Sequence, residues 1–137
     1  MRKLGVMLAV AMLAALSAGP VSAGAPSPFV GTWTSIDPVD GSTQHMTIRG
    51  GTNVQIEYVD EYATTCVNIG APTVVFTGVL TGRISDTFLV GEWKSAGCGP
   101  QLVLSAATRF AWFFVYDPDT DTLYGALNAG PAVWSRS

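Results

Sequence analysis

The chain has 137 residues, with ten Asp and Glu against seven Lys and Arg and a formal net charge of −3. Its basic residues form no cluster, which excludes an electrostatic grip on nucleic acid or anionic lipid. A hydrophobic content of 48% with only 12% charged residues excludes a disordered chain and suits one packed domain.

The first segment, residues 1–23, reads as a signal peptide. Arg2 and Lys3 precede an apolar stretch over 4–16, and small residues end in Val21-Ser22-Ala23. The apolar run is shorter than the ~20 residues a spanning helix needs, so no membrane span is expected in the mature chain. Residues 24–137 then form a single domain, secreted to an extracellular or periplasmic compartment. There Cys66 and Cys98, without a Cys-x-x-Cys spacing or neighbouring His, read as one disulfide rather than a metal or redox pair.

Beyond the leader no stretch keeps a helical period. Short runs rich in β-branched and aromatic residues recur between Gly, Pro, Asp and Ser clusters, predicting strands over 29–36, 43–49, 53–62, 73–84, 87–94, 102–116, 122–127 and 132–136. The connections are mostly short turns, which join antiparallel neighbours. Eight such strands in sequence predict an all-β, antiparallel up-and-down barrel. The alternative is a β-sandwich, for which 63–72 is the longest available crossover.

Alternation assigns the faces. The first strand opens on Gly31-Thr32-Trp33, where Gly permits close approach and Trp can plug an interior. Met46 and Ile48 point inward on the second strand, with His45, Thr43 and Thr47 outside. On the third, Val54, Ile56, Tyr58 and Tyr62 share the inner face, and Asp60 falls among them, either exposed near a mouth or paired in a polar pocket. In an up-and-down order Cys66 and Cys98 belong to the rim where the third and fifth strands end. The sixth strand sets Phe110, Trp112, Phe114 and Tyr116 against Ala111, Phe113 and Val115, so both of its faces are apolar and its outer face calls for a cover. Asp117-Pro118-Asp119-Thr120-Asp121 begins like a calcium loop, but Thr122 and Asn128 stand where such a loop needs Gly and Glu. Asp side chains bonding to local backbone explain it more simply, and no metal site is assigned.

Gly31-Thr32-Trp33, the antiparallel meander and a late Arg resemble the calycin superfamily of lipocalins, fatty-acid-binding proteins and avidins. The segment Val79-Leu80-Thr81-Gly82-Arg83 is similar to a strand of bacterial avidins. The resemblance implies that Trp33 closes one barrel end beneath a basic residue, with Arg136 the first candidate and Arg109 the second. Guanidinium over indole gains a cation–π contact. The polar biotin contacts of that family do not map onto this chain, and the lipocalin Thr-Asp-x-x-x-Arg motif is missing.

These readings point to a non-catalytic binding protein without a cofactor. Tyr58, Tyr62, Phe76, Trp93, Phe110, Trp112 and Phe114 are the candidate lining of a site for a small apolar or aromatic ligand. The alternative is a filled barrel acting through its outer surface on a protein partner or a second copy, with Phe113 and Val115 exposed. An enzyme is not expected: His45 is the only histidine, no nucleophile motif occurs, and Asp60-Glu61 or Asp37 with Asp40 would have to form a close carboxylate pair.

Overall fold

A computed structural model describes residues 25–102, 111–127 and 130–137. The leader reading, Arg109 and Phe110 lie outside the described residues. Nine strands form one sheet: β1 (Gly31–Ile36), β2 (Thr43–Gly50), β3 (Asn53–Asp60), β4 (Phe76–Ser85), β5 (Phe88–Cys98), β6 (Gln101–Leu102), β7 (Ala111–Asp117), β8 (Thr122–Leu127) and β9 (Gly130–Arg136). A short helix, α1 (Thr64–Asn68), lies between β3 and β4.

Each long strand pairs antiparallel with the next one in the chain, and β9 returns to β1. Eight strands therefore close an up-and-down barrel, while β6 adds two residues beside the end of β5. Closure removes the free edges that an open meander of these strands would expose. Segment 63–72 carries α1 and makes no sheet-to-sheet crossover, so the sandwich alternative does not apply.

Alternation sets the interior. Trp33 and Ser35 on β1, Gln44, Met46 and Ile48 on β2, and Val54, Ile56, Tyr58 and Asp60 on β3 are all buried, with solvated neighbours between them. On β7 Trp112 and Phe114 point inward and Phe113 outward. Ring centroids among Tyr58, Phe76, Trp93, Trp112, Phe114 and Trp134 lie 4.7–6.4 Å apart in edge-to-face contacts. That geometry brings the positive edge of one ring to the negative face of the next. Gly78 makes room for this packing, since a Cβ there would stand 2.0 Å from Trp93 Cζ3.

One strand breaks its own parity. Leu89, Gly91 and Trp93 face inward on β5, but so do Ala96 and Cys98. Val79 pairs with Ser95 and Leu80 with Trp93, leaving Lys94 as an unpartnered extra residue. This bulge turns the end of β5 over, so that Cys98 faces the interior instead of solvent. There it bonds to Cys66 of α1, with Cα atoms 5.6 Å apart and both residues fully buried.

Of the strand predicted over 102–116, the described residues form β6 and β7, both antiparallel to β5, and 103–110 lie outside the described residues. Residues 64–68 form a helix that the sequence pattern did not mark. Five residues with Thr, Thr and Val among them give neither helical propensity nor a readable period.

Candidate functional site

The two ends of the barrel are built differently. At one end meet the start of β1 and the ends of β7 and β9. Phe29 sits in the turn before β1 rather than on the strand, is fully buried, and its carbonyl accepts a bond from Trp33 Nε1 at 2.9 Å. The Arg136 guanidinium lies over the Trp33 ring, 4.2 Å from its centroid. Its Nη1 donates to the Val30 carbonyl and Nη2 to that of Pro28, at 3.1 and 2.8 Å. Nε and Nη2 also form a two-point contact with the Asp121 carboxylate at 2.9 and 3.0 Å.

That hydrogen bonding from Arg136 holds the Asp121 carboxyl below the usual range, and Asp121 in turn raises Arg136. Gly31 has φ of +143°, and a Cβ there would lie 2.6 Å from Arg136 Nη1, so the guanidinium occupies space that any other residue would fill. The polar groups named at this end, Trp33 Nε1, the Arg136 guanidinium and the Asp121 carboxylate, all have partners.

The opposite end gathers the end of β1, the start of β2, the end of β3 and the disulfide. Gln44 pairs across the sheet with Ser35 on one side and Asp60 on the other, and all three side chains face inward. Gln44 Nε2 donates to Asp37 Oδ2 at 2.7 Å, whereas its Oε1 is buried with no partner. Trp134 Nε1 is likewise buried without an acceptor. Both side chains are nearly inaccessible, at 1% for Gln44 and 0% for Trp134.

Asp60, 5% exposed, accepts from Ser42 Oγ at 2.8 Å and from the Tyr62 N–H at 3.1 Å through Oδ1. Ser35 Oγ donates to the Val133 carbonyl. Asp40 takes the Ser42 N–H and the Thr64 hydroxyl, both at 3.0 Å. Desolvation opposes these bonds, but their net effect lowers the Asp40 carboxyl. Tyr58 stands below this row against the rings of Phe76, Trp93, Trp112 and Trp134. Burial first, and then the negative charges of Asp60, Asp37 and Asp40, push its phenol strongly upward and keep it neutral.

Of the candidate lining residues, Tyr58, Trp93, Trp112 and Phe114 are buried in this aromatic group and Phe76 packs against it. Tyr62 is instead 48% exposed, because β3 ends at Asp60 and the chain turns before the next inward position is reached. Trp134, an inward aromatic by its sequence as well, joins the same group, and Gln44 is the buried polar residue that the sequence reading did not single out. Gln44 was findable, being two residues before Met46 on the same face of a strand.

His45 lies on the outer wall, 2.9 Å from Glu61. In the turn over 117–121, Asp117 Oδ1 accepts the Asp119 N–H and Oδ2 the Thr120 hydroxyl. Among the described residues no group of three His, Cys, Asp or Glu side chains is placed to hold a metal ion, and no helix is long and apolar enough to cross a membrane.

The outer wall is also divided. Over β2 to β4 it presents His45, Thr47, Arg49, Gln55, Glu57, Thr77 and Thr81 among fewer apolar side chains. Over β5, β7, β8 and β9 the register runs Phe88, Val115, Tyr124, Val133, with Val90 opposite Phe113 in the adjoining row. Five of these six are 42–50% exposed. No protein-family description, curated protein or solved structure matches the chain significantly.

Proposed function

We propose that the chain is a non-catalytic binding barrel, plugged by Trp33 and Arg136 at one end and taking a small ring-bearing ligand at the other. The observation that carries this reading is the pair of buried, unpartnered atoms, Gln44 Oε1 and Trp134 Nε1, beside an aromatic group. Leaving such an atom unpaired costs about 1–3 kcal/mol, and a ligand with a donor and an acceptor removes that cost. Because the rings of the described interior pack against one another, the ligand sits at the polar row above them rather than deep within.

A non-catalytic role is supported by His45 standing on the outer wall and by both cysteines being bonded to each other. The calycin kinship belongs to the same proposal and draws support from the closed eight-stranded barrel and the Trp33–Arg136 contact. The disulfide is compatible with an extracellular location, and the leader reading makes the chain an exported protein.

Native mass spectrometry of the purified protein, followed by denaturation, tests the reading. A recurrent small molecule released in near-equimolar amount supports it; a protein that carries nothing and gains no stability from any ring-bearing compound contradicts it.

The apolar row from Phe88 to Val133 favours a second reading, in which the outer face meets a protein partner whose contacting surface is apolar and uncharged. Sedimentation of the parent and of Phe113→Lys distinguishes the two. An association abolished by the substitution supports the second reading, and a monomer in both cases removes its simplest form, a self-association.

A further inference from the structure

The donors and acceptors at the open end do not balance. Asp37, Asp40 and Asp60 bring three carboxylates together, and among the described residues the donors that meet them are neutral: Val39 N–H and Gln44 Nε2 for Asp37, Ser42 N–H and Thr64 hydroxyl for Asp40, Ser42 hydroxyl and Tyr62 N–H for Asp60. The ion pairs among the described residues lie elsewhere, at His45–Glu61, Arg49–Glu57 and Arg136–Asp121.

Acidic side chains at a rim are ordinary by themselves. Here a buried amide is aimed among them: Gln44 points inward, binds Asp37 through its NH2 group and leaves its carbonyl oxygen bare. The unfilled demand at this end is for N–H donors and positive charge. Tyr58 shares the inner face of β3 with Asp60 and packs against Trp93, Trp112 and Trp134, and aromatic faces attract organic cations.

We propose that this end is a binding site for a small protonated amine that carries an apolar or aromatic body. This rests on the reading that the open end takes a ligand, and it adds the ligand's charge and polar groups. The ammonium donates to Gln44 Oε1 and lies in the field of Asp60 and Asp37. The body rests on the aromatic group. An anion meets three carboxylates here. A purely apolar ligand leaves Gln44 Oε1 as it is.

The test is calorimetric titration of the full protein with three compounds of one shape: phenethylammonium, 2-phenylethanol and phenylacetate. Phenethylammonium is expected to bind saturably, with a Kd at least ten-fold below that of 2-phenylethanol, and phenylacetate to give no binding heat. Gln44→Met is expected to weaken phenethylammonium at least ten-fold. Asp37→Asn, on the partly exposed rim, is expected to weaken it several-fold with an unchanged melting temperature, which separates lost affinity from lost fold.

If 2-phenylethanol binds as tightly as the ammonium, or phenylacetate more tightly, and Gln44→Met still abolishes that binding, the cation preference is overturned while the ligand site survives. If none of the three binds, or if binding ignores both substitutions, the proposal falls. The mass-spectrometric result then decides whether the ligand-binding reading falls with it.

Discussion

The plugged end and the open end of the barrel contain similar materials and use them in opposite ways. At one Trp33 stands beside Arg136 and Asp121; at the other Ser35, Gln44 and Asp60 form an inward polar row. At the plugged end the Trp33 indole has its acceptor, and the Arg136 guanidinium is engaged by two carbonyls, a carboxylate and a ring face. In the polar row at the other end Gln44 Oε1 is buried without a partner, and so is Trp134 Nε1 in the aromatic group that Tyr58 joins. Folding alone favours the first arrangement, because every buried polar group that is left unpaired lowers stability. The proposed ligand is what would use the groups that the second arrangement leaves unpaired.

The largest effect should come from removing the plug. Trp33→Ala is expected to cost about 3–5 kcal/mol, the range for truncating a large buried aromatic, as read by chemical denaturation. An unchanged midpoint would sink the closure argument. Replacing Cys66 and Cys98 together by Ala releases a cross-link spanning 32 positions, for which loop entropy gives about 3–4 kcal/mol. Since the bond joins α1 to the end of β5 at the open rim, ligand binding should suffer along with stability; a loss of stability without loss of binding would uncouple that rim from the site.

Acid should loosen the plugged end. The Asp121 carboxyl is held low in the folded state, so its contribution is present above the ordinary carboxylate range and is lost as pH falls through its depressed folded value. Melting curves between pH 7 and pH 3 should show Asp121→Asn less sensitive to acid than the parent. Equal slopes would mean that the contact with Arg136 adds nothing to the plug.

Much of this contrast was readable from residue order, and the unread parts have physical causes. Strict alternation over 43–49 and 53–60 placed Met46, Ile48, Val54, Ile56 and Tyr58 inside, and it carried Asp60 there as an anomaly that proves to be a bonded, buried carboxylate. Alternation failed at Tyr62 because a strand's end is set by its partners, not by its own sequence. Beyond Lys94, where the predicted strand stopped, one extra residue in β5 reverses every later side chain and looks like nothing in the sequence. The partnership of Asp121 with Arg136 was hidden because a turn rich in Asp explains itself locally, while this contact joins positions 15 apart across the β8–β9 hairpin, next to the Thr122–Ser135 pair. The orphan atoms of Gln44 and Trp134 could be seen only in three dimensions, because a missing partner is a property of packing.

The unfolding free energy of Gln44→Met measures the central contrast most directly. The substitution keeps the side chain's length, removes a buried acceptor that has no donor, and also removes the Nε2 bond to Asp37. The account predicts that relief of the unpaired acceptor offsets the lost bond, leaving the protein within about 1 kcal/mol of the parent in the absence of ligand. A loss of about 2 kcal/mol or more would show that Gln44 is part of the barrel's own framework and that the open end is as satisfied as the plugged one.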